Sequence, residues 1–497
     1  MTFDVHELDT FLLVGALVTL AAILAVRMSA RAGLPSLLIY LLMGVVLGEA
    51  GLGIQFEDYQ LAHALGFGAL VVILAEGGLT TDWPEVRRCV RMGMALATLG
   101  VVVSLGVMAA AAHYLLGLPW ELAVLLGAVC SPTDSAAVFS VLRTVPLPRR
   151  LTGVLEAESG LNDAPTVVIV TLVSTGAFAE HGFPVAVLMI VGELAGGVVA
   201  GLAIGWGGAW VMRRAALPAS GLYPIAVVVL CLLAYAAGSW LHLSGFAAVY
   251  IAALVLGNQE LPHRLATRSF AEGLAWVAQI GLFVMLGLLL SPGRIGFETM
   301  AMAVAAGLVL TLVARPLSVV LCAAVDRMPP RQLAFVSWAG LRGAVPIVLA
   351  TIPLSEGVEG AEDLFDIVFV MVVIYTVLTG PTLPMVARVL GVSQRNEPRG
   401  LDLEAAPLER IAADLLQISI APTSQMHGVE VGELRLPPGA SVSLVIRDGQ
   451  IIVPERRTVL RHGDDLLVVA PRKQRVATEE RLREVSARGR LAHWLDD

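Results

Sequence analysis

The chain has 497 residues, of which 57% are hydrophobic and only 15% charged, with a mean hydropathy of +0.80, a balance that excludes a water-soluble globule of this size. The formal net charge of -8 comes with no basic stripe or basic tail, which excludes a nucleic-acid-binding role. Four cysteines, Cys89, Cys130, Cys231 and Cys322, stand far apart and three lie within apolar runs, so neither a disulfide framework nor a metal site is expected.

The N-terminus MTFDVHELDT is acidic, and the first apolar run, Leu12 to Val26, is followed by Arg27 and Arg31. That is the reverse of the charge order in a cleaved signal peptide, and it predicts a first helix whose N-terminus faces outward. A spanning helix needs roughly 20 mostly apolar residues. Thirteen segments are read on that ruler: 8–26, 34–49, 61–79, 92–116, 120–142, 154–176, 184–212, 222–239, 244–257, 272–291, 297–325, 333–353 and 364–391, of which 34–49 and 244–257 are short. The odd-numbered loops carry fourteen arginines, from Arg27 to Arg331, whereas the even-numbered loops carry only Arg294, and two of them are acidic. Because Lys and Arg concentrate on the cytoplasmic side, the N-terminus is expected outside and the C-terminus in the cytoplasm.

Helix five is interrupted by Ser131-Pro132-Thr133-Asp134 and helix twelve by Gly340-Leu341-Arg342-Gly343-Ala344-Val345-Pro346. With helix seven set aside as a linker, each break falls fifth in a six-helix half, the signature of inverted repeats with a binding site at the interruptions. Proline and glycine free backbone polar groups there, and Asp134 and Arg342 stand where they compensate the half-helix ends.

Helix six carries Glu156, Glu158, Ser159, Asn162 and Asp163 within LEAESGLNDAPTVVIV. Spacings of three and four place Glu158, Ser159, Asn162 and Asp163 on one region of helix surface. Burial disfavours the charged form of a carboxylate, so a proton and a metal ion compete for the same oxygens of Asp163. One carboxylate holds one proton or one monovalent cation, which implies one-for-one, electrically silent exchange; Asn162 supplies polarity without a second titrating charge. Glu158 is the expected ion-pair partner of Arg342, since an intramembrane cation is tolerated mainly when paired.

Charges return from about Arg395, and a boundary is expected there: a transmembrane domain over 1–391, a linker over 392–411 and a small cytoplasmic α/β domain over 412–497. LLQISIA, SVSLVIRDGQIIVP with the hairpin signal Asp448-Gly449, and DDLLVVAP read as strands, followed by a polar helix from Arg472 to Ala487. No Gly-x-Gly-x-x-Gly follows a strand in this tail.

Taken together, SPTD, ESGLNDAP and SWAGLRGAVPIVLA resemble the NhaP-type branch of the bacterial cation:proton antiporters over residues 8–391, and 412–472 resembles a TrkA-C (RCK C-terminal) module. The resemblance implies a polytopic helical fold of about thirteen spans in two inverted repeats with broken, crossing helices, the NhaA-like antiporter fold, in the bacterial cytoplasmic membrane. It implies that Asp163 is the shared ion and proton site, that Ser159 and Thr133 are cation ligands, that Asn162 stabilises the site, and that Glu158 and Arg342 form a structural pair. It places Glu76 on the ion path. The Asn-Asp pair resembles the electroneutral members, and GLAWVAQIGLFVMLGLLL resembles the K⁺/H⁺ subgroup, with Na⁺ or Li⁺ as the alternative cargo. The sequence departs from the common Thr-Asp-Pro at the first break, where Pro132 precedes Thr133 and Ser135 follows Asp134. A homodimer and a small nucleotide-type ligand at the TrkA-C module are further implications; no cofactor is expected. A ligand-gated K⁺ channel is the rival of another class, but no TVGYG-like filter is present. An enzyme lacks paired metal ligands, a nucleophile elbow or a phosphate loop.

Overall fold

The computed structural model describes residues 5–32, 36–49, 51–54, 56, 58–134, 147–290, 292–393, 403–408, 413–421, 424–447 and 449–489. The chain forms two compact units, Met1–Ser393 and Gln394–Asp497. In the first, α1 (Val5–Ala32), α2 (Ser36–Leu47) and α3 (Tyr59–Thr80) are followed by α4 (Val90–Tyr114), α5 (Trp120–Cys130) and α6 (Arg149–Ser174). Then come α7 (Phe183–Arg214), α8 (Leu222–Trp240), α9 (Gly245–Asn258) and α10 (Arg264–Leu288). The unit ends with α11 (Phe297–Cys322), α12 (Pro330–Trp338), α13 (Ala344–Ser355), α14 (Ala361–Thr379) and α15 (Leu383–Val389).

Among the described residues six helices are long and apolar enough to cross a bilayer, namely α3, α4, α7, α8, α10 and α11, and the pair α14 and α15, bent by 46°, makes a seventh. The other apolar helices are shorter: Leu12–Val26, α2, α5, α9 and α13. The second part of expected helix five, 135–142, lies outside the described residues.

The helices sort into two packing groups. One holds α2, α3 and α7 to α10; the other holds α4 to α6 and α11 to α14. In the first, α2 and α10 cross at glycines: a Cβ on Gly44 would lie 2.1 Å from the Val284 carbonyl oxygen, and one on Gly287 2.2 Å from that of Leu41. Backbones come this close only over small residues, which is how helices associate where lipid offers no hydrophobic drive. Along α7, Gly197 and Gly201 face the backbone of Ser244 and Ala248 before and within α9, whereas nothing lies near a Cβ on Gly192. In the second group α4 and α11 each contain one π-helical stretch, Leu96–Gly100 and Leu310–Ala314, a local unwinding that re-aims the residues after it. All four cysteines are free and buried.

The second unit is an antiparallel sheet in the order β1-β2-β5-β3-β4, with β1 (Leu403–Leu408), β2 (Ala413–Ser419), β3 (Ser441–Arg447), β4 (Gln450–Ile452) and β5 (Asp465–Pro471). Strand β1 lies within the stretch 392–411 expected as a linker, because it completes an antiparallel ladder with β2 from Leu403↔Ile418 to Leu408↔Ala413. Alternation buries Leu416 and Ile418 of β2 beside Leu466, Val468 and Ala470 of β5. Helix α16 (Arg475–Arg488) contributes Leu482 and Val485 to that core. Strands β3 and β4 pair with Arg447 opposite Gln450, and Gly449 between them takes φ +78°, a left-handed conformation suited to glycine in a two-residue turn.

Candidate ion-binding site

Both interruptions are real breaks in helical structure, and they meet. Helix α5 ends at Cys130, the next residues through Asp134 are irregular, and the Asp134 N–H donates to the Leu341 carbonyl oxygen at 3.0 Å. Leu341 lies in the irregular stretch between α12 and α13. The Arg342 guanidinium closes the contact from the other side: Nε donates to the Cys130 carbonyl at 3.1 Å and an Nη donates to the Gly340 carbonyl. Carbonyls at the C-terminal end of a half-helix carry partial negative charge and lack intrahelical donors, so a buried guanidinium satisfies both needs. A Cβ on Gly343 would fall 1.7 Å from Asp134 Oδ2; only glycine lets the two breaks approach this closely.

Helix α6 presents its polar cluster to the first break. Ser159 Oγ donates to the Thr133 carbonyl at 2.9 Å, and Asn162 Nδ2 donates to Thr133 Oγ1 at 3.0 Å. Thr166 Oγ1 bonds back to the Asn162 and Asp163 carbonyls at 2.9 and 2.8 Å, beside Pro165, which lacks an N–H for the ladder. Asp163 is only 7% exposed, and its Oδ1 has no hydrogen-bond partner among the described residues; the same holds for Asn162 Oδ1. Two buried, unsatisfied oxygen acceptors beside hydroxyl and carbonyl oxygens form the donor set that a hard monovalent cation or a proton would complete.

Asp163 borders a cavity of about 360 Å³ between the two helix groups. Glu76, Asp134, Glu156 and Glu272 also line it, and no Lys or Arg does among the described residues, so its field favours cations. Its walls come mainly from the C-terminal half of α3 and the stretch Glu156 to Asp163 of α6, whose nearer ends adjoin arginine-bearing loops, and from the middle of α10, Glu272 to Phe283. Of the sequence-predicted residues, Asp163, Ser159, Asp134 and Glu76 line the cavity, while Asn162 and Thr133 do not and are joined to it through the bond between Thr133 and Ser159.

The expected Glu158–Arg342 pair is not what forms. Glu158 is held by Arg315, whose Nη2 lies 2.8 Å from Oε2 and whose Nη1 donates to Oε1, with side chains 4% and 2% exposed. The reason is geometric: Arg315 follows the π-helical stretch of α11 and points between α6 and α12, while Arg342 is taken by carbonyls at the breaks. Both guanidinium groups flank Gly340, where a Cβ would lie 2.7 Å from each.

A family profile described as sodium/hydrogen exchanger, transmembrane, matches residues 16–389. The chain belongs to the sodium/hydrogen exchanger family. A second profile, the TrkA-C domain, matches residues 415–483 of this exchanger. The K(+)/H(+) antiporter NhaP of Alkalimonas amylolytica is 36% identical over 471 residues, covering 93% of this chain and 81% of the relative. The K(+)/H(+) antiporter NhaP2 of Shewanella oneidensis is 34% identical over 480 residues, covering 95% and 83%. The solved structure of the sodium proton antiporter MjNhaP1 from Methanocaldococcus jannaschii shares the fold, with a TM-score of 0.67 at 21% identity over 77% of this chain and 99% of that one.

Three residues at or beside the candidate site went unread in the sequence. Arg315 sits in the apolar run VLTLVARPLSVV, and a cation at membrane depth was itself the signal. Glu272 opens the expected tenth span and faces the cavity. Tyr250 carries no sequence signal: it matters because its ring lies over Gly160, where a Cβ would be 2.3 Å from the hydroxyl oxygen.

Proposed function

We propose that this exchanger moves K⁺ against H⁺, one for one, by competition for the Asp163 carboxylate, with the site exposed alternately to the two sides of the membrane. The observation that carries the reading is Asp163 Oδ1, buried at the edge of an acid-lined cavity without a hydrogen-bond partner among the described residues. Ser159 and Thr133 complete the cation's oxygen ligands, Asn162 holds Thr133 in place, Asp134 and Arg342 neutralise the half-helix ends, and Glu76 passes the ion along the cavity. Potassium is favoured over sodium because relatives that align with nearly the whole chain carry the name K(+)/H(+) antiporter.

The reading includes thirteen spans in two inverted, NhaA-like repeats. It is supported by the meeting of the two breaks and by π-helical stretches in helices four and eleven, each fourth in its half. The chain acts in the bacterial cytoplasmic membrane as a homodimer, with the N-terminus outside. Its C-terminal unit lies in the cytoplasm, where it takes a small nucleotide-type regulatory ligand. The arginine-rich odd loops support that orientation and make the cavity inward-facing.

The test is proton flux in proteoliposomes offered K⁺, Na⁺ and Li⁺ in turn. K⁺-driven proton movement indifferent to an imposed membrane potential and lost in Asp163→Asn is expected. Exchange surviving in that variant overturns the site, and a response to Na⁺ and Li⁺ alone overturns the cargo.

A further inference from the structure

Arg294, the lone arginine of the even-numbered loops, is used by nothing in the site, and its surroundings are specific. It follows α10 and reaches Asp366 of α14, with Nε 3.3 Å from Oδ2 and Nη2 3.5 Å from Oδ1. Its Nη1 lies 3.4 Å from the hydroxyl of Tyr59, the first residue of α3, and 3.5 Å from Glu362 Oε2 at the head of α14. Asp366 is 3% exposed. One guanidinium thus joins both packing groups, since α3 and α10 belong to one and α14 to the other.

A second contact spans the same division. His63 of α3 shares a hydrogen bond of 3.1 Å with Thr351 of α13. Both contacts involve the first turns of α3, at Tyr59 and His63, whereas the cavity is walled by its C-terminal half and the residue after it, from Leu70 to Thr81. At 1.5 Å per residue the two ends of this 22-residue helix are about 30 Å apart. On α10 the residues lining the cavity run from Glu272 to Phe283, and its C-terminal end leads to Arg294.

We propose that Arg294 with Asp366, seconded by His63 with Thr351, is a latch that holds the two helix groups together at the end opposite the cavity and parts once in each transport cycle. The inference deepens the alternating-access reading and rests on it. A buried acid whose partner is removed is strongly unfavourable unless water reaches it. Parting of the latch and hydration of a path at that end are therefore the same event, and the intact latch favours the state in which Asp163 is reached through the present cavity.

The experiment labels a cysteine at Thr80→Cys, on the cavity wall, with a membrane-impermeant maleimide in sealed inverted vesicles; the four native cysteines are buried. Arg294→Gln with Asp366→Asn removes both charges together and leaves no unpaired buried ion. Labelling from the cavity side is expected to fall by about threefold, with an equal rise in apparent cation KM and a smaller change in kcat, since losing a partly exposed ion pair shifts a two-state equilibrium by about that factor. Arg294→Lys, which keeps the charge, restores most of the labelling. Labelling and KM unchanged in the double variant overturn the latch. Should the double variant fail to fold, Thr351→Val carries the test through the second contact alone: lower labelling supports the latch and unchanged labelling overturns it. Asp163→Asn separates the two readings, because it abolishes exchange while leaving the labelling difference between latch variants intact.

Discussion

The backbone N–H of Asp134 donates to the carbonyl oxygen of Leu341 at 3.0 Å, tying the break after α5 to the break before α13. Residues about two hundred positions apart thereby share one polar crossing, and its surplus carbonyls are met by Arg342. Interrupted helices leave unsatisfied backbone groups at membrane depth, and pairing one interruption with another confines them to a single place lined by protein.

At that crossing Gly343 is expected to be irreplaceable. Gly343→Ala places a methyl group 1.7 Å from Asp134 Oδ2, so transport should fall at least about tenfold as the breaks are forced apart. Gly281→Ala, on α10 with nothing within 4 Å of the added carbon, should leave transport intact and raise stability by up to about 1 kcal/mol. Flux assays and thermal unfolding of the two purified variants check the contrast.

The two arginines differ in partner, and a double-mutant cycle separates them. Arg315→Gln strands the buried Glu158 and should destabilise the protein by about 3–5 kcal/mol, largely recovered when Glu158→Gln is added. Pairing Arg342→Gln with Glu158→Gln should show much weaker coupling, because Arg342 serves carbonyls. Equal coupling in the two cycles, measured by thermal unfolding in detergent, contradicts the assignment.

Ser159→Ala removes the hydroxyl that donates to the Thr133 carbonyl. On the proposed site, in which Ser159 is a cation ligand, the expected result is a rise of about fivefold to tenfold in apparent cation KM with the protein still folded. Thr166→Ala, one turn away and bonded, among the described residues, within its own helix, should change KM less than about twofold. Initial rates of proton flux against cation concentration distinguish the two.

In the C-terminal unit, burial pushes the Asp464 carboxyl up, but hydrogen bonds from Arg447 and the Arg461 N–H, with the positive charges of both, outweigh it and hold the group below the usual carboxylate range. A depressed folded value contributes stability that is fully present above the unfolded value of about 4 and is lost as pH falls through the folded one. Protection of β5 amides from hydrogen exchange should therefore decline below about pH 4 in the full chain, and less steeply in Asp464→Asn.

The sequence alone determined that the chain is a bundle of apolar helices with a separate β-rich tail. It also located both breaks and marked Glu158, Ser159, Asn162 and Asp163 as one cluster, to which the family resemblance added Thr133. Those features are local: hydropathy, proline and glycine placement, and helical spacing are properties of neighbouring residues. Which guanidinium meets Glu158 was decided only by tertiary structure, because Arg315 and Arg342 are both within the chain's reach and only the geometry of α11 beside α6 separates them. The same is true of Tyr250 over Gly160 and of Arg294 on Asp366. Such contacts join elements scores of residues apart, and the free energy that selects them comes from the packing of whole helices, which no local pattern encodes.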